Sequence, residues 1–303
     1  MISVMGATGR TGSRICQTLL EAGVPVRALG RNAERLAPLA AAGAQIAVGE
    51  PHDAAFLSQA FRGAEAVYTL LAYGPDTEDY LHQQAAQGEA ILAAIRSSGV
   101  RRVVFLSSVG AEVPSGTGPI ISMHDQEQRL LQLPPAVSVL MLRSGALFEN
   151  LYGALQIVRE YACYSDAVAP DVAVPMVATQ DVADAASRAL LDRDWQGRVT
   201  REVLGQRDIS YAEATRLLGT AIGRPDLPYV PVSPQELAVA LQEAGCSVSV
   251  AACYAELAEA ISSGRVRAQE ARTPANTTAT SLAVRQRRQS GNIISYKYLG
   301  RLR

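Results

Sequence analysis

Residues 1–15 read MISVMGATGRTGSRI, with three glycines at three-residue spacing, Gly6, Gly9 and Gly12, behind a short apolar run. An apolar strand that ends in a glycine-rich turn and continues into a helix can bind a pyrophosphate. The turn brings the phosphates to backbone N–H groups at the positive end of the helix dipole. The first glycine permits the turn, the second lets the phosphates approach, and the third lets helix and strand pack closely. Three neighbouring side chains can donate further hydrogen bonds to phosphate: Thr8, Arg10 and Thr11. The stretch favours a dinucleotide-binding unit over glycines that serve packing alone.

The same alternation of strand and helix continues to about residue 143. Short apolar runs such as VRAL, AQIAV, AVYTLL, RVVFLSS and VSVLMLR are separated by longer segments with helical periodicity, the last of them over 125–133. Strands that alternate with helices form β-α-β units around a parallel sheet buried on both faces. The predicted fold class is therefore α/β, a Rossmann-type doubly wound parallel sheet.

After Asn150 the pattern changes to tyrosines, prolines and shorter pieces. The stretch VPMVATQDVADAASRALLD predicts one more strand, followed by a helix that Asp181 caps and that packs back on the sheet. Three further helical patterns predict a smaller, mostly helical substrate lobe. We predict a nucleotide-binding domain over 1–150 with 174–195 packed on it, a lobe over 151–173 and 196–284, and a disordered tail over 285–303.

Composition narrows the possible partners. The 303 residues are 48% hydrophobic and carry a formal net charge of -1, which gives no electrostatic bias toward nucleic acid or a membrane surface. We find no room for a leader before Ile2 and no run of eighteen apolar residues, so we expect a cytoplasmic protein. The four cysteines are scattered and the three histidines lie far apart. Free buried thiols and no metal site are therefore expected.

The end of the second predicted strand indicates which dinucleotide binds. NAD-binding chains usually place a carboxylate there for the ribose 2′-hydroxyl, but this sequence reads LGRN, and its first carboxylate is Glu34. Gly30 leaves room, and the Arg31 guanidinium can bind a 2′-phosphate through paired donors, with Asn32 beside it. NADP(H) is therefore predicted over NAD(H), the alternative being a solvated arginine at the start of a helix. Asp53 in the loop after the third strand is a candidate contact for the adenine.

Several stretches together resemble the NmrA-like family of atypical short-chain dehydrogenases. They are GATGRTG, LGRN, GVRRVVFLSSVGAE, HDQEQRLL and LRSGALFEN, followed by EVLGQRDISYAEATRLLGTAIGRP and ARTPANTT, so the resemblance extends to about residue 282. It implies an NADP-preferring Rossmann domain with a small substrate lobe. The family contains reductases of quinones, dyes or polyketide-like carbonyls, and regulators that bind dinucleotide without turnover. By position, Ser107 and Ser108 match the strand end beneath the nicotinamide. Ser144 departs from the family's usual proline.

The sequence lacks the usual proton donor of short-chain dehydrogenases. No Tyr-x-x-x-Lys occurs, and the only lysine is Lys297. The position that carries lysine or histidine in many relatives is here His124, whose imidazole can supply a proton near neutral pH. Glu127, one helical turn later, is predicted to orient it. The alternative is that His124 and Asp125 only begin a helix.

The predicted substrate pocket comes from three parts of the chain. Its wall is expected from Leu71, which also adjoins the cofactor, and from Ala72, Tyr73, Phe148, Asn150, Tyr152 and Tyr229, although each aromatic could equally be core. Two functions follow. The first is an NADPH-dependent reductase of a quinone or conjugated carbonyl, since the cofactor carries the chemistry and the site supplies proximity. The second is a non-catalytic NADP(H) sensor. A small aromatic molecule is the expected substrate, and monomer and homodimer both stay open.

Overall fold

The computed structural model describes residues 1–154, 158 and 161–282. Its central feature is a seven-stranded, wholly parallel sheet with the order β10-β6-β5-β4-β1-β2-β3. The strands are β1 Ile2–Val4, β2 Val26–Gly30, β3 Gln45–Val48, β4 Ala66–Thr69, β5 Arg102–Ser108, β6 Ser138–Ser144 and β10 Arg198–Val203. The order reverses at β1, so the phosphate-binding turn lies at the switch point of a doubly wound sheet.

Helices cover both faces of this sheet. They are α1 Arg10–Glu21, α2 Ala33–Ala41, α3 Ala54–Phe61, α4 Tyr80–Ser98, α5 Ile120–Leu131 and α6 Thr179–Asp192. One core packs α1, α2 and α6 on the sheet through residues such as Ile15, Leu36 and Val182. The opposite core packs α3, α4 and α5 through residues such as Phe61 and Ile91. The predicted Rossmann-type architecture is confirmed.

Most of the remaining described residues form a smaller lobe beside the sheet. Two short strands, β8 Tyr164–Asp166 and β12 Tyr229–Pro231, pair in parallel. Three helices follow the main sheet in the sequence: α7 Tyr211–Ala221, α8 Pro234–Glu243 and α9 Val248–Ser262. The lobe has its own apolar core, which includes Phe148, Tyr164, Leu218 and Ile261. Independent burial of this kind lets the lobe pack as a unit against the carboxyl edge of the sheet.

Three details differ from the sequence prediction. Helix α5 begins at Ile120, five residues before the predicted start. The predicted strand of VPMVATQ is β9 Ala173–Val177, but it lies between β7 Ala146–Leu147 and β11 Asp208–Ser210 in a separate three-stranded sheet. Strand β10, which we placed in the lobe, is instead the edge strand of the main sheet. The rest of the domain division stays a prediction, and the tail over 285–303 lies outside the described residues.

Asp181 is not the cap of α6, contrary to the prediction. The N-cap is Ala178, which has no capping side chain, and Asp181 lies in the first turn. The Thr179 N–H is bound by the Glu149 carboxylate at 2.9 Å instead. Glu149, and not Asp181, therefore binds a free backbone N–H group at the start of α6.

The cysteines and helices of the described residues can be compared with what a metal site or a membrane span requires. All four cysteines are free, and Cys16 and Cys253 are buried. Burial raises the pKa of Cys16 to about 12, so that thiol is chemically inert near neutral pH. Over the described ranges, no three His, Cys, Asp or Glu side chains gather as a metal site, and no helix has the length and apolarity to cross a bilayer.

Candidate nucleotide and substrate site

In the glycine turn between β1 and α1, backbone atoms of the turn and of the helix start approach one another closely. Gly6 has φ of +62°, a left-handed conformation that glycine tolerates, and the Gly9 N–H closes the turn on the Gly6 carbonyl at 2.8 Å. A Cβ atom on Gly12 would lie 2.2 Å from the Gly6 oxygen, whereas one on Gly9 would lie 3.1 Å from it. Only glycine therefore fits at position 12, and Gly9 faces solvent at the mouth of the turn.

Helix α1 lacks the cap that most other helices have. Its N-cap is Gly9, which offers no side chain, and its first turn carries no carboxylate. Side chains cap the helices α2, α3, α4, α7, α8 and α9, through Asn32, Asp53, Asp79, Ser210, Ser233 and Ser247. An uncapped helix start with its positive dipole end behind a glycine turn suits a phosphate group. The residues present thus fit a dinucleotide.

Three neighbours of the turn have different surroundings. Arg10 is exposed and Thr8 is half-buried, but Thr11 is buried, and its hydroxyl accepts a hydrogen bond from Tyr68 at 3.2 Å. The Thr8 carbonyl accepts a hydrogen bond from the Arg35 guanidinium at 3.3 Å. Sequence reasoning missed Arg35, although its position one helical turn after Arg31 was a usable signal.

The residues predicted to contact the adenosine half lie at the ends of β2 and β3. Arg31 is exposed directly after β2. The Asn32 side chain accepts from the Arg35 backbone N–H at 3.0 Å and caps α2. The Asp53 side chain accepts from the backbone N–H groups of Ala55 and Phe56 and caps α3. Asn32 and Asp53 therefore have structural partners of their own, while Arg31 is exposed.

Glu127 belongs to a buried ion pair. Its carboxylate accepts two hydrogen bonds from one edge of the Arg143 guanidinium, from Nη2 at 2.7 Å and from Nε at 3.0 Å, and a third from the Ser107 hydroxyl at 2.6 Å. Arg143 also donates to Glu112 at 2.9 Å. The hydrogen bond to Glu127 is the main cause that raises the pKa of Arg143. The pair joins α5 to β5 and β6 directly below the carboxyl edge of the sheet.

His124 is oriented by the backbone, not by Glu127. Its Nδ1 lies 2.8 Å from the carbonyl oxygen of Ala111. A carbonyl can only accept, so Nδ1 carries the proton and Nε2 is the ring atom that exchanges one. The predicted pairing of His124 with Glu127 is therefore wrong, because the Glu127 oxygens are bound by Arg143 and Ser107. Ser108, at the end of β5, is half-buried, and its hydroxyl donates to the Val109 carbonyl.

Residues 70–77, called the bridging segment here, follow β4, lead toward α4 and contact the lobe at Ser247. Leu71 is buried in the core beneath α3 and α4, while Tyr73 is 46% exposed. The Tyr73 ring meets two others edge to face, Tyr80 at 6.3 Å and Tyr254 at 6.1 Å between centroids. The predicted wall residue Tyr73 is thus joined by Tyr80 and Tyr254, which sequence reasoning missed because they lie on α4 and α9.

The other predicted wall residues lie in the lobe. Phe148 is 1% exposed, and the Tyr229 ring stacks on Tyr164 with centroids 6.0 Å apart. Tyr152 is also buried, whereas Asn150 is exposed. Phe148 also lines a cavity of about 160 Å³ together with Met176, Ile209, Leu217 and Leu282. The structure therefore does not gather the predicted wall residues into one pocket, and Phe148 and Tyr229 belong to the lobe core.

Five tyrosines of the described residues have pKa values displaced away from the role that the missing Tyr-Lys pair would fill. Burial raises the pKa of Tyr68, Tyr73, Tyr80, Tyr229 and Tyr254 above the ordinary tyrosine range. A tyrosine that acts as a proton donor and acceptor near neutral pH needs the opposite displacement. Among the groups described here, His124 is the side chain at this edge of the sheet with suitable chemistry.

The sequence model of the NmrA-like family matches residues 1–260, and the chain belongs to this family. The resemblance noted from the motifs is confirmed. A Streptomyces griseus (4-alkanoyl-5-oxo-2,5-dihydrofuran-3-yl)methyl phosphate reductase is 31% identical over 74% of this chain and 75% of its own. An NAD(P)H azoreductase of Xenophilus azovorans is 27% identical over 85% and 86%.

A solved structure of similar fold is the NADPH-dependent quinone oxidoreductase of Escherichia coli complexed with NADPH. It superposes with a TM-score of 0.81 and covers 96% of this chain and 100% of its own, at 22% identity. At that identity the likeness shows the fold alone.

Proposed function

We propose that this chain is an NADPH-dependent reductase that transfers hydride to a quinone or another conjugated carbonyl compound. The observation that carries the proposal is the uncapped start of α1 behind a turn that requires glycine at position 12, together with the exposed Arg31 directly after β2. Relatives named as an azoreductase and as a reductase of an oxo-dihydrofuran phosphate support the reaction class. Their acceptors are conjugated, which supports a flat conjugated substrate.

The proposed cofactor contacts follow from the geometry. The backbone N–H groups at the start of α1 would hold the pyrophosphate, and Gly9 gives it access. Arg31 would bind the 2′-phosphate, because a guanidinium presents paired donors to phosphate oxygens. When bound, NADPH supplies the hydride. The protein would supply orientation, since the buried Ser107 and Glu127 bind each other and the half-buried Arg143 and so fix the ends of β5 and β6, where the nicotinamide would be held.

His124 is the proposed proton donor for carbonyl acceptors. The Ala111 carbonyl holds the proton on Nδ1, so the proton delivered from Nε2 would come from the doubly protonated imidazolium, which would leave the neutral Nδ1–H form. Quinones need this group least, since a reduced quinone anion can take its proton from water. The proposal therefore predicts that the role of His124 depends on the acceptor. A cytoplasmic location stays a prediction.

Two measurements on the purified protein test the proposal. Calorimetric titration with NADPH, NADP⁺, NADH and NAD⁺, after bound nucleotide has been removed, should give tight binding of NADPH and weak binding of NADH. NADPH oxidation with quinones, azo dyes and unsaturated lactones should then exceed the rate without protein. Tight binding together with no turnover of any acceptor would replace the reductase by the non-catalytic sensor. No binding of any nucleotide would overturn both.

A further inference from the structure

The backbone of Ala72 is held by two glutamine side chains of α4. The Ala72 N–H donates to Oε1 of Gln87 at 2.7 Å, and the Ala72 carbonyl accepts from Nε2 of the same amide at 3.1 Å. The Ala72 carbonyl also accepts from Nε2 of Gln84 at 2.8 Å. The Gln87 amide thus forms a cyclic pair with one residue's backbone, much as a neighbouring strand would.

Burial makes this arrangement costly to disturb. Gln84 is 1% exposed and Gln87 is 2% exposed. A buried amide or carbonyl that loses its partner costs about 1–3 kcal/mol, so both glutamines strongly favour one position of Ala72. Glutamine is an unusual choice for the buried face of a helix, where an apolar residue would pack without needing partners. The two amides are needed here because they bind the backbone N–H and carbonyl of Ala72 in the loop.

The held residue lies in the middle of the bridging segment. At the near end, the side chain of Leu70 packs on the phosphate turn, where a Cβ on Gly6 would come within 2.8 Å of it. At the far end, Ser247 at the start of α9 donates its N–H to the Pro75 carbonyl at 3.0 Å and its hydroxyl to the Thr77 carbonyl. The segment therefore runs from the cofactor turn to the lobe, and the glutamines fix its centre.

We infer that Gln84 and Gln87 are positioning residues. By holding the backbone of Ala72, they fix the part of the site wall that faces the nicotinamide and the acceptor. The inference rests on the proposed function, since it gives the bridging segment a role in hydride transfer. It assigns the glutamines no contact with the substrate. A displacement of about 1 Å in such a wall can lower a rate about 100-fold, so holding Ala72 affects turnover as well as folding.

The test uses Gln87→Glu and the pH. A protonated carboxyl group can replace the amide, because its O–H donates to the Ala72 carbonyl while its C=O accepts from the Ala72 N–H. The ionised carboxylate cannot donate and faces the carbonyl oxygen. Burial and this repulsion raise the pKa of the new carboxyl group above its unfolded value of about 4.3. The variant therefore matches wild-type stability at low pH and loses stability as the pH rises through the folded-state pKa.

The expected result is that kcat/KM of Gln87→Glu, divided by the wild-type value at each pH, falls between pH 5.5 and 8.5. It should reach a loss of about 10-fold to 100-fold. Emission of bound NADPH, which reports the surroundings of the nicotinamide, should change over the same pH range. Gln87→Met, which packs similarly and cannot form the pair, should show a loss independent of pH. Gln17→Glu, an exposed change of the same charge on α1, should behave as wild type.

The outcomes separate the two proposals. If wild-type protein reduces no acceptor, the proposed function fails, and the NADPH emission of the variants still decides whether the glutamines position the wall. If the melting temperature of Gln87→Glu depends on pH while kcat/KM and NADPH emission stay at wild-type values, the glutamines only stabilise the fold, and the positioning role is overturned. A variant that matches wild type in all three measurements overturns it as well.

Discussion

The phosphate turn and the region around Glu127 lie at the same edge of the sheet but are built differently. In the turn, the decisive contact is between backbone atoms of Gly6 and Gly12, six residues apart. Around Glu127, the partners are side chains of Ser107 and Arg143, twenty and sixteen residues away. The first contact follows from chain geometry that any sequence with those glycines shares. The second exists only because three elements of the sheet layer meet.

The two regions also tolerate change differently. A backbone atom cannot move aside without moving the strand and helix to which it belongs, so substitution at Gly12 has no cheap relaxation. A buried carboxylate can be replaced in volume, but its removal leaves the Arg143 guanidinium with one fewer partner in a poorly hydrated place. The predictions below therefore begin with Gly12, continue with Glu127 and His124, and end with the exposed Arg31.

The largest effect is expected for Gly12→Ala. Its Cβ would lie 2.2 Å from the Gly6 oxygen, so the free energy of unfolding should fall by about 3 kcal/mol, and NADPH affinity should fall by about 100-fold or more. Urea unfolding and calorimetric titration measure the two. Gly9→Ala is the matched control, because its Cβ meets the same oxygen only at 3.1 Å, and its unfolding free energy should change by less than about 1 kcal/mol. Equal destabilisation by both variants would contradict the expected difference between Gly12 and Gly9.

Glu127→Ala should lower the free energy of unfolding by about 3 kcal/mol, because it breaks a buried pair whose side chains are 4% and 13% exposed. Urea unfolding measures the change. Glu89→Ala removes an exposed pair with Arg129 and should cost less than about 0.5 kcal/mol. A Glu127 variant with wild-type stability and no turnover would instead make the glutamate catalytic, as its position after His124 suggested.

His124→Gln should lower kcat for carbonyl acceptors by about 100-fold and leave quinone reduction nearly unchanged, since only the first needs a positioned acid. Steady-state kinetics with one acceptor of each kind measure the difference. His82→Gln is the control, because His82 is exposed on α4. Equal losses with both acceptors would mean that His124 supports the site through its bond to Ala111 and not as a proton donor.

The smallest effect is expected for Arg31→Ala. The NADPH dissociation constant should rise about 10-fold, as for the loss of one charge-assisted contact at an exposed site, and the NADH constant should stay the same. Titration of both nucleotides gives the ratio. Arg188→Ala, an exposed arginine on α6, should change neither. If both nucleotides weaken equally, Arg31 acts on the phosphate turn and does not distinguish NADP(H) from NAD(H).

Much of the fold could be predicted because its signals are local. The alternation of apolar runs with helical periodicity placed β1 to β6 and α1 to α4, since a strand or helix of the sheet layer shows its burial within its own residues. The prediction differed at β9, where the strand was recognised but its sheet was not, and at β10, which was assigned to the lobe with no strand predicted there. It was also wrong for the start of α5, whose N-cap is Pro119 and not a polar side chain.

The site was predictable to the same extent. Gly6, Gly9, Gly12 and Arg31 lie next to one another around the first two strands, and their spacing carried the prediction. The Ala111 carbonyl at His124 and the aromatic contact of Tyr254 with Tyr73 join residues 13 and 181 positions apart. A single sequence has no pattern that links residues so far apart along the chain, because the residues between them are free to vary.

The sequence alone determined the α/β class, the glycine turn after the first strand and the absence of a Tyr-Lys pair, because each depends on neighbouring residues and on backbone geometry. The tertiary structure alone decided that Glu127 pairs with Arg143, that the Ala111 carbonyl orients His124, and that Gln84 and Gln87 hold Ala72. Those contacts depend on which buried polar groups meet when the layers close. Each buried donor and acceptor then needs whichever partner the packing brings within about 3 Å.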